Sequence, residues 1–235
     1  MVPRQPELEE PAFVPVLRAA VVGLGAGSYH VCALEDGGEV FCWGASDSGF
    51  TRLALGDGSS TSAGYPVRAV LPRPARRLDV GPHTCAIDDA GAVYCWGANH
   101  AGQLGRGYAG TPVDRDRLPR EVTLPAPTRD VAVGAAFTCA LLEDDWVWCW
   151  GDNAYGQLGN GTRQGELAPV RSFHLPGAAG VDAGAEHACA WSRSDLQCWG
   201  RRDQRALGPA SSAHEGCDED ACTRPVPLAL PPALR

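Results

Sequence analysis

At 235 residues, with 44% apolar and 20% charged content, the chain can form one sizeable core or a repeat array, and its 29 Gly and 19 Pro point to many short strands and turns. The formal charge is −8 with no basic cluster, which excludes nucleic-acid binding through phosphate contacts. All 20 basic residues are Arg, so a P-loop lysine, a Schiff-base lysine and a Ser-x-x-Lys nucleophile are excluded too.

From the N-terminus, VVGLGAGSYHVCAL (21–34) first suggests a phosphate cradle, because apolar residues run into Gly23, Gly25 and Gly27. A dinucleotide site needs a helix after the glycines, so that its N-terminus meets the pyrophosphate. Here a β-hairpin pattern follows instead. The same pattern returns as HTCAI and AVYCWG around the turn DDAG (83–97), and again at 137–151 and 187–200. Each hairpin is followed by a further strand-like run: PVRAVLP (66–72), REVTLP (120–125), PVRSFHLP (169–176) and PVPLALP (225–231). A fourth run precedes the next hairpin, as in RRLDVG (76–81) and RDVAVG (129–134). Four short antiparallel strands in each unit of about 50 residues describe a propeller blade.

Cys-Trp-Gly closes every hairpin, with Trp43, Trp96, Trp150 and Trp199 spaced by 53, 54 and 49 residues. A Gly opens each unit: Gly27, Gly81, Gly134 and Gly184. Recurrence at one repeat position is what core packing requires, so the four Trp are assigned to the blade core. His30, His83 and His187 also recur and are assigned to structural hydrogen bonding near the central channel. Phe137 takes their place in the third unit and breaks any metal-binding His ring. The expected organisation is four repeats within 1–208 (about 12–56, 66–107, 119–162 and 169–208), an acidic loop at 209–222 and a terminal strand at 223–235.

GPHTCAIDDAGAVYCWGANHAGQLGRG (81–107) and FTCALLEDDWVWCWGDNAYGQLGNGT (137–162) resemble repeats of the regulator of chromosome condensation family, in a cysteine-paired variant common in bacterial members. The shared core is Gly-x-x-His-x-x-Ala-Leu, a turn, Val-x-x-Trp-Gly-x-Asn and Gly-Gln-Leu-Gly, over roughly residues 12–208. The first unit departs from it at GFTRLALG (49–56) and the fourth at DQRALG (203–208). The resemblance implies an all-β propeller, usually of seven blades. Four units can close as a ring, form an open arc or make half of a dimer; the arc is favoured, with self-association through its open blade faces. Known family roles are nucleotide exchange on a small GTPase, chromatin binding and β-lactamase inhibition, which share a propeller face used for protein recognition.

In an antiparallel hairpin, opposed residues have constant summed numbers. The expected disulfides are therefore Cys32–Cys42, Cys85–Cys95, Cys139–Cys149 and Cys189–Cys198, with Cys217–Cys222 closing CDEDAC. Paired cysteines imply an oxidising compartment, so an extracytoplasmic or secreted location is expected over a cytoplasmic one, although no signal peptide is visible. No spanning helix is predicted. No cofactor and no catalytic residue is assigned, since neither a Gly-x-Ser-x-Gly elbow nor a metal-binding His motif occurs. Glu215, Asp218, Glu219 and Asp220 form a weak calcium candidate. The expected function is a non-enzymatic protein-binding scaffold, with an unidentified protein partner held by loops 45–65, 106–118, 160–168 and 201–222. A regulator of guanine-nucleotide-exchange type is the alternative.

Overall fold

The computed structural model describes residues 17–45, 55–110, 114–202, 207 and 216–228. They form four four-stranded antiparallel sheets, each pairing its strands in chain order. Blade 1 holds β1 (Val21–Ala26), β2 (His30–Glu35), β3 (Val40–Gly44) and β4 (Ala63–Arg68). Blade 2 holds β5 (Ala75–Val80), β6 (His83–Asp88), β7 (Val93–Gly97) and β8 (Arg120–Val122). Blade 3 holds β9 (Thr128–Val133), β10 (Phe137–Leu142), β11 (Trp146–Gly151) and β12 (Glu166–His174). Blade 4 holds β13 (Ala178–Ala183), β14 (His187–Ser192), β15 (Leu196–Arg201) and β16 (Ala221–Pro227). The first strand of each blade packs beside the first strand of the next, from β1 to β5, β9 and β13. No comparable contact joins blade 4 to blade 1 among the described residues, so the array is an open arc.

Period-two alternation gives every blade two faces. One, the leading face, meets the blade before it; the trailing face meets the blade after it. Val131 and Val133 of β9 thus enter one apolar cluster with Ile87, Val93 and Leu104 of blade 2. Leu78 and Val80 do the same against Leu34 and Val40 of blade 1, and Val181 and Ala183 against Leu141 and Val147 of blade 3. The core is therefore a row of three interblade layers, with a fourth, smaller cluster of Cys198, Leu207, Cys222 and Val226 buried on blade 4. Burying a large aliphatic side chain in such a layer stabilises the fold by about 1.5–3 kcal/mol.

The cysteines are directly opposed, as the hairpin geometry requires: Cys32↔Cys42, Cys85↔Cys95, Cys139↔Cys149 and Cys189↔Cys198. These pairs and Cys217–Cys222 are disulfide-bonded, with Cα–Cα separations of 4.0–4.1 Å. The fourth hairpin absorbs its missing residue in a turn closed by Ser192 N–H donating to Asp195 O (2.8 Å). In the third, Asp145 occupies the left-handed position that Gly38 and Gly91 fill elsewhere, at φ 65°. Its carboxylate accepts from Gly177 N (2.7 Å) and Arg129 Nη1 (3.0 Å), which holds the conformation.

Three outer strands begin earlier than the sequence suggests: at Ala63, Glu166 and Ala221 rather than 66, 169 and 225. Bulges between Cys42/Gly44, Cys149/Gly151 and Cys198/Gly200 allow this, because they carry pairing out to the Gly of each Trp-Gly pair. Cys222 therefore lies in β16 rather than in the acidic loop.

Candidate functional site

The joint between blades 2 and 3 shows what the repeat residues do. Thr138 stands opposite Trp150 on the leading face of blade 3. The Trp150 indole N–H and the Thr138 hydroxyl both donate to the backbone oxygen of Gln103 in blade 2, at 2.8 and 2.9 Å. With its proton committed there, Thr138 Oγ1 accepts from His83 Nε2–H at 2.6 Å. The network thus fixes His83 as the neutral Nε2–H tautomer. Burial, aided by the nearby His30 and His100, holds its pKa down to about 3. His30 reaches Thr84 in the same way across the first joint (2.7 Å), and burial lowers its pKa to about 4. Protonating either ring would place an N–H at Nδ1, which is buried without a partner in both.

The third joint uses a different pair. Phe137 replaces the His and Ala188 replaces the Thr, both fully buried in one apolar cluster. Trp199 still donates its indole N–H to the Gln157 backbone oxygen (2.8 Å). The inner strands add a second tie: Asp79 Oδ2 accepts from Val133 N (2.6 Å) and Asp130 Oδ2 from Val181 N (3.1 Å). Burial raises the pKa of both carboxylates, against these backbone hydrogen bonds.

The other recurring polar residues close their own loops. Asn99 Oδ1 accepts from Leu104 N and Asn153 Oδ1 from Leu158 N, at 3.1 and 3.0 Å. Gln103 and Gln157 accept from Ala101 N and Tyr155 N. These four side chains are buried and engaged within their own loops.

Variable residues lie elsewhere. Strand alternation puts the β1–β2 type connections and the long β3–β4 type loops on one end of the arc, and the tight hairpin turns on the other. The end with the long loops carries exposed His100, half-buried Tyr155 under the Arg201 guanidinium (4.6 Å), and the loop after Gly105. That loop is pinned by buried Asp116, which accepts from Arg106 Nη1 at 2.8 Å and from the Tyr108 hydroxyl. Burial raises the pKa of Tyr108. A cleft of about 640 Å³ opens between Gly105–Tyr108, Arg120–Glu121 and Pro169. A second, of about 410 Å³, sits at the channel mouth, lined by Gly27, Gly81, Gly134 and Gly184 with their small neighbours.

The predicted site residues fare unequally. Trp96, Trp150 and Trp199 are fully buried, whereas Trp43 is only half-buried, since no blade among the described residues covers the leading face of blade 1. Asp218 accepts from Asp220 N and Ala221 N and pairs with Arg163, so it is already engaged. Glu219 and Asp220 are exposed, and Glu215 lies outside the described residues. So do much of loops 45–65 and 201–222 and most of both divergent motifs, 49–56 and 203–208. Among the described residues no group of three His, Cys, Asp or Glu converges on a metal-sized space, and no helix is long and apolar enough to cross a membrane. The interblade partners Ala188, Gln103 and Asp79 were not singled out from sequence; their signal is spread over neighbouring repeats.

Two models of the regulator of chromosome condensation (RCC1) repeat match the chain, one at 90–141 and 144–191, the other at 21–49 and 129–157. Human E3 ubiquitin-protein ligase HERC2 is 32% identical over 204 residues, covering 82% of this chain and 4% of that protein. The crystal structure of Prp20p from Saccharomyces cerevisiae, described with its binding properties to Gsp1p and histones, superposes with a TM-score of 0.75 at 26% identity. It covers 88% of this chain and 51% of that one. The yeast protein bound to Kap60 gives 0.77 at 26%, covering 88% and 49%. The chain thus spans about half the length of these solved structures and a small part of the ligase.

Proposed function

This chain belongs to the family of regulator of chromosome condensation repeats, and from that premise we propose that it is a non-enzymatic protein-binding scaffold that works outside the reducing cytoplasm. One observation carries the reading. Most recurring side chains join blades or close their own loops, while the loops on one end of the arc vary and are held from beneath, as Asp116 holds the loop of Arg106 and Tyr108. A rigid frame presenting unlike loops suits recognition of another protein. The solved yeast relatives, described with Gsp1p, histones and Kap60, support a binding role in kind and leave this chain's partner open. Five disulfides among ten cysteines support an oxidising location. They also weigh against the exchange-factor alternative, which acts in a reducing cytosol.

Photo-crosslinking groups placed at His100 or Tyr155, and at Arg193 on the opposite end, test the recognition end. A protein partner is expected to crosslink from the first two positions and not from Arg193. Crosslinks from Arg193 alone overturn the assignment. Thiol titration of denatured protein from its native cell tests the location. All ten cysteines are expected to be blocked, and ten reactive thiols return the exchange-factor reading to first place.

A further inference from the structure

Blades 1 and 3 carry an arginine at the same place on their outer strands and use it differently. Arg171 of β12 stands opposite Trp148, as Arg68 of β4 stands opposite Phe41. Blades 2 and 4 hold Glu121 and Pro227 there. The hairpin register also puts Trp146 of blade 3 at the position of Glu39 in blade 1, each one residue before a Val paired with the preceding strand. In blade 1 the two side chains form an ion pair, Arg68 Nη2 with Glu39 Oε1 at 2.9 Å. In blade 3 an indole stands where that acid would be. The Arg171 guanidinium lies over the Trp146 ring, 4.3 Å from its centre, and over the Trp148 ring at 5.6 Å. His174 packs against Trp146 at 5.0 Å.

The cluster sits on the outer rim of the second joint. Trp148 packs with Leu124 and Ala126 against the apolar core of that joint, and both Trp146 and Trp148 are half-buried. Arg171 and His174 are exposed. Among the described residues no carboxylate forms an ion pair with Arg171. The acids of the adjoining turn are committed elsewhere: Glu143 and Asp145 to Arg129, and Asp144 to the Trp146 N–H. Stacking uses the faces of a guanidinium and leaves its in-plane N–H groups able to grip a carboxylate with two bonds. It also fixes the side chain in advance, so less freedom is lost on binding. Trp and Arg are the side chains that most often dominate recognition surfaces.

We propose that the outer rim of blade 3 binds an acidic segment of a protein partner, with Arg171 gripping an Asp or Glu carboxylate beside Trp146 and Trp148. Blade 1 shows, within the same molecule, the bond that such a partner would make. The site lies toward the hairpin-turn end and apart from the long loops, so its test is independent of the crosslinking above.

Fluorescence anisotropy with a fluorescein-labelled hexaglutamate peptide tests this on the intact, disulfide-bonded chain at low ionic strength. Binding is expected, and Arg171→Gln should weaken it at least about tenfold. Trp146→Glu keeps Arg171 but rebuilds the blade 1 pair, and it should weaken binding as much. Should that variant fail to fold, Arg171→Lys takes its place: the charge stays, the planar fork is lost, and the same weakening is expected. Arg68→Gln is expected to leave binding unchanged, because Glu39 already occupies that arginine. No binding to the unchanged chain, an equal loss with Arg68→Gln, or full binding by Trp146→Glu or Arg171→Lys overturns the proposal. Displacement of the peptide by inorganic phosphate at an equal concentration would assign the site to a free anion and overturn it too.

Discussion

The joint between blades 2 and 3 and the leading edge of blade 1 present the same repeat positions in two settings. Val131 of β9 is 2% exposed, while Leu24, its counterpart in β1, is 68% exposed. Trp150 is sealed with its N–H on the Gln103 carbonyl, while Trp43 is half-buried. The residues are alike in type and strand position. What differs is whether a neighbouring blade receives them among the described residues, so the hydrophobic gain of each position belongs to the pair of blades and not to the residue.

The strongest challenge to that contrast is truncation of the two indoles. Trp150→Ala removes a buried side chain and a hydrogen bond and is expected to cost about 3–5 kcal/mol, read from the denaturant midpoint. Trp43→Ala should cost less than half as much. Equal losses would show that the leading edge is packed after all.

Acid should act through the polar joints. His30 and His83 are held near 4 and 3 in the folded chain, below the unfolded value of 6.5. Between those values the unfolded chain binds more protons. Stability present above pH 6.5 is therefore lost as pH falls toward 4 and 3, by up to about 3 kcal/mol for His30 and about 5 kcal/mol for His83. The Phe137–Ala188 pair of the third joint places no such imidazole there. His83→Phe combined with Thr138→Ala copies that joint and should flatten the acid limb of a stability–pH curve. An unchanged limb would remove His83 as its cause.

Replacing both Cys85 and Cys95 with Ala is expected to cost about 2–3 kcal/mol, through the freed unfolded chain and the lost packing in the second joint. Comparing denaturant midpoints with the Cys217/Cys222 double variant sharpens the contrast, because Cys217 lies half-buried at the rim and its loss should cost less. The smallest effects separate the aliphatic pair: Val131→Ala should cost about 2 kcal/mol and Leu24→Ala less than about 0.5 kcal/mol by thermal melting. A large loss at Leu24 would mean that its face is covered in solution.

Much of the fold was legible because hairpin pairing is local. The constant sum across each turn placed Cys85 opposite Cys95, and only antiparallel strands satisfy it. Outer-strand boundaries were harder to read, since the bulge after Cys149 that lets Glu166 pair with Gly151 leaves no compositional mark. Phe137 stood out as a departure from the repeat, but its meaning lay in Ala188, one blade away. The binding end was legible only as a set of variable loops. What pins one of them, Asp116 buried beneath Arg106 and Tyr108, sits in a connection longer than its counterparts in blades 1 and 3, so no repeat position marks it.

The sequence by itself determined the blade: four strands, the register of the stapled central hairpin and the family to which the repeat belongs. These follow from contacts within about 50 residues, which periodicity and spacing report directly. Only the tertiary structure decided which blade faces are satisfied and which stand open. A blade face is stabilised by side chains from the next repeat, and whether they are present is a property of the assembled arc.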